Sequence, residues 1–130
     1  VAHIQLSRPQ ALNSMTREFW RELPEIVRDI DGNARARVIV LSSTGKHFSA
    51  GMDLAVFTGG GLGGGERDRY VQAEALRHTV RSLQETFTVL DRARIPVLAA
   101  IQGGCIGGAV DMISACDVRY CTADAFFCIQ

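Results

Sequence analysis

The chain has 130 residues, 47% hydrophobic and 22% charged, a balance that fits one globular domain with a real core and excludes a disordered or fibrous protein. Fourteen Lys and Arg against fourteen Asp and Glu give a formal net charge of zero, which argues against nucleic acid or an anionic membrane as the main partner. No apolar run nears the roughly 20 residues of a membrane span, and no charged-then-apolar leader opens the chain, whose abrupt start in a strand pattern leaves room for a targeting segment upstream.

Ala2, Ile4 and Leu6 alternate with His3, Gln5 and Ser7, the pattern of a half-buried strand that stops at Arg8-Pro9. Residues 15–31 then set Met15, Phe19, Leu23, Ile26, Val27 and Ile30 on one helical face, with Thr16 or Ser14 as cap and Gly32 as stop. Pro24 lies inside this run and lacks an N–H, which predicts a kink or an early loosening. Val38 to Leu41 is a continuous apolar strand of the buried kind, ended by Ser42-Ser43-Thr44-Gly45. His47 to Leu54 reads as a short extended piece running into small residues around Gly51, where a ligand can lie against the backbone.

Residues 59–65 hold six glycines in seven positions and match G-x-G-x-x-G at 59, 61 and 64. So glycine-rich a run satisfies such a pattern by chance, and no acid closes a second strand about 20 residues on, so a flexible loop is expected here and no cofactor site. From Glu66 to about Arg92, Ala73, Leu76, Val80, Leu83, Phe87 and Leu90 recur at steps of three and four, predicting one long amphipathic helix with His78 as a structural residue beside the stripe.

Ile95 to Asp111 is the most informative stretch. A short apolar run is followed by four glycines in six positions, at 103, 104, 107 and 108, and then by an apolar segment carrying one acid, which reads as strand, tight turn and helix. Glycines let the backbone approach a ligand closely, and the first amides of a helix have no intrahelical acceptor and sit at its positive end. The glycine spacing fails the dinucleotide pattern, and the Gly45-Lys46 pair is followed by His47 where a phosphate loop needs Ser or Thr. Two readings remain: a backbone cradle for an oxyanion that develops during reaction, with Asp111 facing the same molecule, or packing glycines with Asp111 complementing a helix dipole. Val118 to Cys121 and Phe126 to Ile129 read as two more short strands. Cys105, Cys116, Cys121 and Cys128 form no C-x-x-C pair and have no His at metal-ligand spacing, so they are expected to be reduced, mostly buried residues, with no metal site and no activated nucleophile at Cys105. The order strand, helix, strand, strand, long helix, strand, helix, strand, strand implies a layered α/β domain.

With those residues in hand, the chain resembles the crotonase family of enoyl-CoA hydratases and isomerases. The likeness rests on Arg8-Pro9 with Ala11-Leu12-Asn13, on Phe48 to Leu54, Pro96 to Gly103, Ile106 to Asp111, and Ala115 to Arg119, in family order and spacing across nearly all 130 residues. It implies a crotonase-like α/β fold of repeated ββα units, spiral sheet layers with helices, of which residues 1–130 would form the N-terminal part of a single domain with the C-terminal part missing. The nearest likeness is to the dienoyl-CoA isomerases, which move the double bonds of a 3,5-dienoyl-CoA to the 2,4 positions. It is carried by Phe19 to Glu22, Gln84 to Phe87, Gly103 to Gly108, and Asp111 where hydratases carry Glu.

The resemblance implies that the backbone amides of Met52 and Gly108 form the oxyanion hole for the thioester carbonyl and that Asp111 transfers a proton or stabilises charge. It places Ala50, Gly51, Met52, Asp53 and Leu54 along the CoA pocket, with Ala11, Gly107, Gly108 and Ala109 also against the substrate; Ala109 stands where relatives often have a third glycine. Relatives are longer, and their second catalytic carboxylate, a Glu, falls just past Gln130, so the 130-residue chain alone is expected to be inactive. No cofactor is expected, coenzyme A being part of the substrate, and the expected partners are an acyl-CoA thioester and, at full length, the other subunits of a homotrimer or homohexamer. The compartment would be the cytoplasm in a bacterium, or a mitochondrion or peroxisome in a eukaryote. The alternatives are an enoyl-CoA hydratase on the same fold, against which Asp111 counts because it is one methylene shorter than Glu, and a catalytically silent fragment that binds CoA thioesters.

Overall fold

The computed structural model describes residues 1–58 and 69–130. In chain order it holds β1 (Ala2–Leu6), a 3₁₀ turn (Pro9–Ala11), α1 (Arg17–Gly32), β2 (Ile39–Ser43), α2 (Leu54–Thr58), α3 (Arg69–Asp91), β3 (Val97–Ile101), β4 (Gly104–Ile106), α4 (Gly108–Ser114), β5 (Val118–Cys121) and β6 (Phe126–Cys128). A four-stranded sheet runs β1-β2-β3-β5 and a two-stranded sheet pairs β4 with β6, and every pairing is parallel. The glycine-rich loop predicted at 59–65 lies outside the described residues. So does the predicted start of the long helix at Glu66.

Parallel strands need a crossover, and the helices supply it while covering the sheet. Ile39 and Leu41 of β2, Val97, Ala99 and Ile101 of β3, Leu23 and Val27 of α1, and Val89 and Leu90 of α3 meet in one buried cluster with Phe48 and Met112. β2 extends past its predicted end, because Gln5 pairs with Ser42 and Leu6 with Ser43, so the ladder continues where the side chains turn polar.

α1 does not loosen at Pro24, which is buried within one continuous helix. A proline there leaves the carbonyl four residues earlier without its intrahelical donor, and that carbonyl, of Trp20, accepts instead from the Thr86 hydroxyl of α3 at 3.2 Å. Thr16 caps the helix, its side chain accepting from the Phe19 N–H at 3.4 Å. α3 packs only its C-terminal half: Thr86, Val89 and Leu90 are buried, while Tyr70, Val71, Leu76 and Val80 are exposed.

Two predicted elements change. The expected extended piece at 47–54 forms only isolated bridges, Ser49 to Cys105 and Met52 to Met15. Its end turns helical as α2, where the Asp53 carboxylate accepts from the Ala55 N–H at 3.0 Å and caps the first turn. Within the glycine turn, residues 104–106 form β4, a strand created by pairing with the distant residues 126–128.

Candidate active site

Two loops build the site. The first, Ser49 to Asp53, is stitched down amide by amide. Ser49 N–H donates to the Gly104 carbonyl, Ala50 N–H to Leu12, and Asp53 N–H to Met15, while Gly51 N–H donates to the Ser49 hydroxyl at 3.1 Å. Among the described residues, the amide of Met52 alone in this run has no acceptor. The second loop leads into α4. Ile106 N–H donates to Ser49 and Gly107 N–H to the Cys128 carbonyl, but the first-turn amides of Gly108 and Ala109 find no acceptor among the described residues, as is general at a helix start. Backbone N–H groups are almost always paired, with protein or with water, so these donors are free to take a polar atom from outside the chain.

Gly51 brings the loops together. It sits at φ +84°, and a Cβ there would stand 2.6 Å from the Ile106 carbonyl oxygen and 3.4 Å from the Gly108 nitrogen. Only glycine lets the Met52 loop come this close to the start of α4. Gly103 makes the same bargain with another segment: at φ +56° its missing Cβ would stand 2.2 Å from the Lys46 carbonyl, and beside it the Gly104 N–H donates to His47 Nδ1 at 2.9 Å, leaving the His47 proton on Nε2.

The region in front of these loops is an open cleft of about 910 Å³. Ala50, Met52, Leu54, Gly107, Gly108 and Asp111 line it, so six of the residues selected from sequence are brought together. Asp111 lies in the first turn of α4, three residues beyond Gly108, with an exposed side chain. The other four do not line the cleft. Gly51 is buried beneath it and Ala109 is buried in the core. Ala11 closes the 3₁₀ turn, its amide donating to Arg8. Asp53 faces the N-terminal segment: the Ala55 amide, the Ser14 hydroxyl at 2.9 Å and Arg8 at 3.8 Å hold its carboxyl below the usual range.

Asn13 secures the same segment and is 3% exposed. Its Oδ1 accepts from the Arg8 N–H at 2.8 Å, and its Nδ2 donates to the carbonyls of Thr44 at 2.7 Å and His47 at 3.1 Å. The cysteines are all free. Burial pushes the Cys105 and Cys116 thiols up to about 11, which keeps them protonated and poor nucleophiles at neutral pH.

Sequence reasoning did not select the helical part of the lining. Trp20 from α1 and Val80, Leu83, Gln84, Phe87 and Asp91 from α3 complete the cleft, with Gln130 at its rim. Phe87 belongs to the predicted stripe of the long helix, and helical periodicity says which residues turn inward without saying which of them reach a ligand; Trp20 lies outside the face predicted for α1.

The family model for enoyl-CoA hydratase/isomerase matches residues 1–130. The mitochondrial Delta(3,5)-Delta(2,4)-dienoyl-CoA isomerase of Mus musculus is 46% identical over 130 residues, all of this chain and 40% of that protein. The peroxisomal Delta(3,5)-Delta(2,4)-dienoyl-CoA isomerase of Arabidopsis thaliana is 42% identical over 134 residues, again all of this chain and 47% of that protein. The chain thus spans less than half the length of these curated relatives. Among solved structures, an enoyl-CoA hydratase/isomerase from Xanthobacter autotrophicus Py2 superposes with a TM-score of 0.82 at 27% identity, covering 96% of this chain and 44% of that one. A Thermobifida fusca YX structure in complex with acetoacetyl-CoA superposes with a TM-score of 0.77 at 33% identity, covering 96% and 48%. With that match over its whole length, the parallel α/β architecture and the paired loops of the cleft, this chain belongs to the enoyl-CoA hydratase/isomerase family.

Proposed function

We propose that the chain carries the oxyanion hole and one acid–base group of an acyl-CoA isomerase that moves the double bonds of a 3,5-dienoyl-CoA to the 2,4 positions. One observation carries the reading: Met52 and Gly108, whose amides have no acceptor among the described residues, line one cleft at loops brought close by Gly51, with Asp111 in the first turn of α4. The thioester carbonyl oxygen accepts from both amides. Removing a proton from the carbon beside that carbonyl puts negative charge on this oxygen, and donors already in place stabilise it without reorganising. Asp111 handles one proton, and the proton returned at the far end of the conjugated system needs a second acid–base group.

The similarity to dienoyl-CoA isomerases at 46% and 42% identity supports isomerisation over hydration. The Thermobifida fusca structure with acetoacetyl-CoA supports a CoA thioester as ligand. Assembly into trimers or paired trimers, and a mitochondrial or peroxisomal location if the source is eukaryotic, belong to the same proposal.

Product analysis of the full protein supplied separately with 3,5-dienoyl-CoA and 2-enoyl-CoA tests it. Isomerisation of the first is expected to dominate, and hydration of the second as the main activity would replace the reading with a hydratase. Asp111→Asn keeps the shape but cannot accept a proton, so kcat is expected to fall by about 10²–10⁴ with little change in thioester affinity. Near-normal turnover with only a lowered melting temperature would reduce Asp111 to a helix-dipole residue.

A further inference from the structure

Two aromatic side chains, Trp20 and Phe87, line the cleft beside the start of α4. Trp20, the single tryptophan of the chain, reaches it from α1, and its ring edge closes on the start of α4: a Cβ built on Gly108 would stand 3.9 Å from Trp20 Cη2. Phe87 of α3 flanks the indole at a centroid distance of 5.2 Å and a tilt of 52°. Phe19 stands edge-on to it at 5.4 Å and 88°. Leu83 and Val80 continue the apolar surface outward along α3.

The indole is held unusually. Its Nε1 is buried and has no hydrogen-bond partner among the described residues, although a buried tryptophan N–H is ordinarily paired. The backbone beneath it is pinned, since the Trp20 carbonyl takes the Thr86 hydroxyl. The ring itself is therefore positioned by Phe19, Phe87 and the floor at Gly108, with no polar anchor among the described residues. The Trp20 and Phe87 rings offer a bound molecule flat apolar contact, with Gln84, Thr88 and Asp91 as the polar groups that α3 adds to the same cleft.

We propose that Trp20 and Phe87 form the acyl-selecting wall of the cleft, against which the carbons next to the thioester carbonyl lie, so that a flat conjugated acyl chain is held in preference to a saturated one of equal length. This rests on the acyl-CoA reading above. A carbonyl seated on the Met52 and Gly108 amides leaves its adjoining carbons beside Gly108, where the Trp20 edge stands. A conjugated segment is planar and packs flush on aromatic rings, whereas a saturated one with staggered torsions touches them at fewer points. The wall is thus a specificity element, separate from the groups that move protons.

Calorimetric titration of the full protein with coenzyme A, a saturated acyl-CoA and a 3,5-dienoyl-CoA of the same length tests the proposal. The wild type is expected to bind the dienoyl thioester more tightly than the saturated one. Trp20→Leu and Phe87→Leu are each expected to shrink that preference by about three- to tenfold, the range for one lost aromatic contact, with coenzyme A affinity unchanged as the check on folding. Trp20→Phe should keep most of the preference. Trp20 emission, isolated as the difference between wild type and Trp20→Phe, decides the matter without the leucine variants: it should respond to the dienoyl thioester and not to coenzyme A. Thioester binding with an unchanged preference, or an equal emission response to coenzyme A, overturns the wall and leaves the acyl-CoA reading intact. Absence of any thioester binding to the wild type removes that reading, and the wall with it.

Discussion

Gly51 and Gly32 differ in what an added methyl group would meet. At Gly51 the backbone is left-handed, with φ +84°, and the new carbon would overlap the Ile106 carbonyl oxygen at 2.6 Å; around Gly32 nothing lies within 4 Å and the backbone is ordinary. Gly51→Ala is expected to destabilise by about 2–4 kcal/mol, the left-handed penalty plus displacement of a loop, and to weaken thioester binding tenfold or more because Met52 moves away from Gly108. Gly32→Ala is expected to stabilise by about 0.4–1 kcal/mol, since it removes only unfolded-state freedom. Urea midpoints for both variants and calorimetric titration of Gly51→Ala check these outcomes; equal stability changes for the two glycines would show that the contact at Ile106 is slack.

At the scale of elements, the join between α1 and α3 turns on one missing N–H. Pro24 frees the Trp20 carbonyl and Thr86, 3% exposed, supplies the donor from the neighbouring helix. Thr86→Val keeps the shape but leaves that carbonyl buried without a partner, an expected cost of about 1–3 kcal/mol. In the Pro24→Ala background the alanine N–H can reach the same carbonyl, so Thr86→Val should cost clearly less there. A double-mutant cycle in urea should show a coupling of about 1 kcal/mol or more, and additive effects would mean that the two helices are joined by packing alone. Elements with an internal signal were legible from the chain: alternation marked β1, the apolar run marked β2, and steps of three and four marked α1 and α3. β4 was not, because Gly104-Cys105-Ile106 becomes a strand only when residues 126–128 arrive beside it, and α2 was not, because five residues carry too little periodicity and the decisive cap is Asp53. For the site, the glycine turn pointed to Gly108 and Asp111 and the small residues around Gly51 pointed to the partner loop, while the role expected of the Met52 amide came from the family pattern. Trp20 stayed hidden because its approach to Gly108 is a fact of helix packing.

For the whole molecule, apolar surface is unevenly covered. Tyr70, Val71, Leu76 and Val80 on α3, and Val118, Tyr120, Phe126, Phe127 and Ile129 at and beside β5 and β6, are all exposed. Surface of this kind favours association, so sedimentation velocity of the 130-residue chain is expected to show species heavier than a monomer that grow with concentration; a single monomeric boundary at all concentrations would contradict this. The sheet carries a different consequence, for synthesis. Its spatial order β1-β2-β3-β5 is also the order of the chain, so each new strand adds to an edge that already exists, and no strand has to be inserted between two others. β1, α1 and β2 are complete by Ser43, while β3 begins only at Val97. At about 5–20 residues per second, the edge of β2 waits roughly 3–10 seconds on the ribosome for its neighbour. During that interval Ile39 and Leu41, fully buried in the finished protein, are the strand most in need of a chaperone.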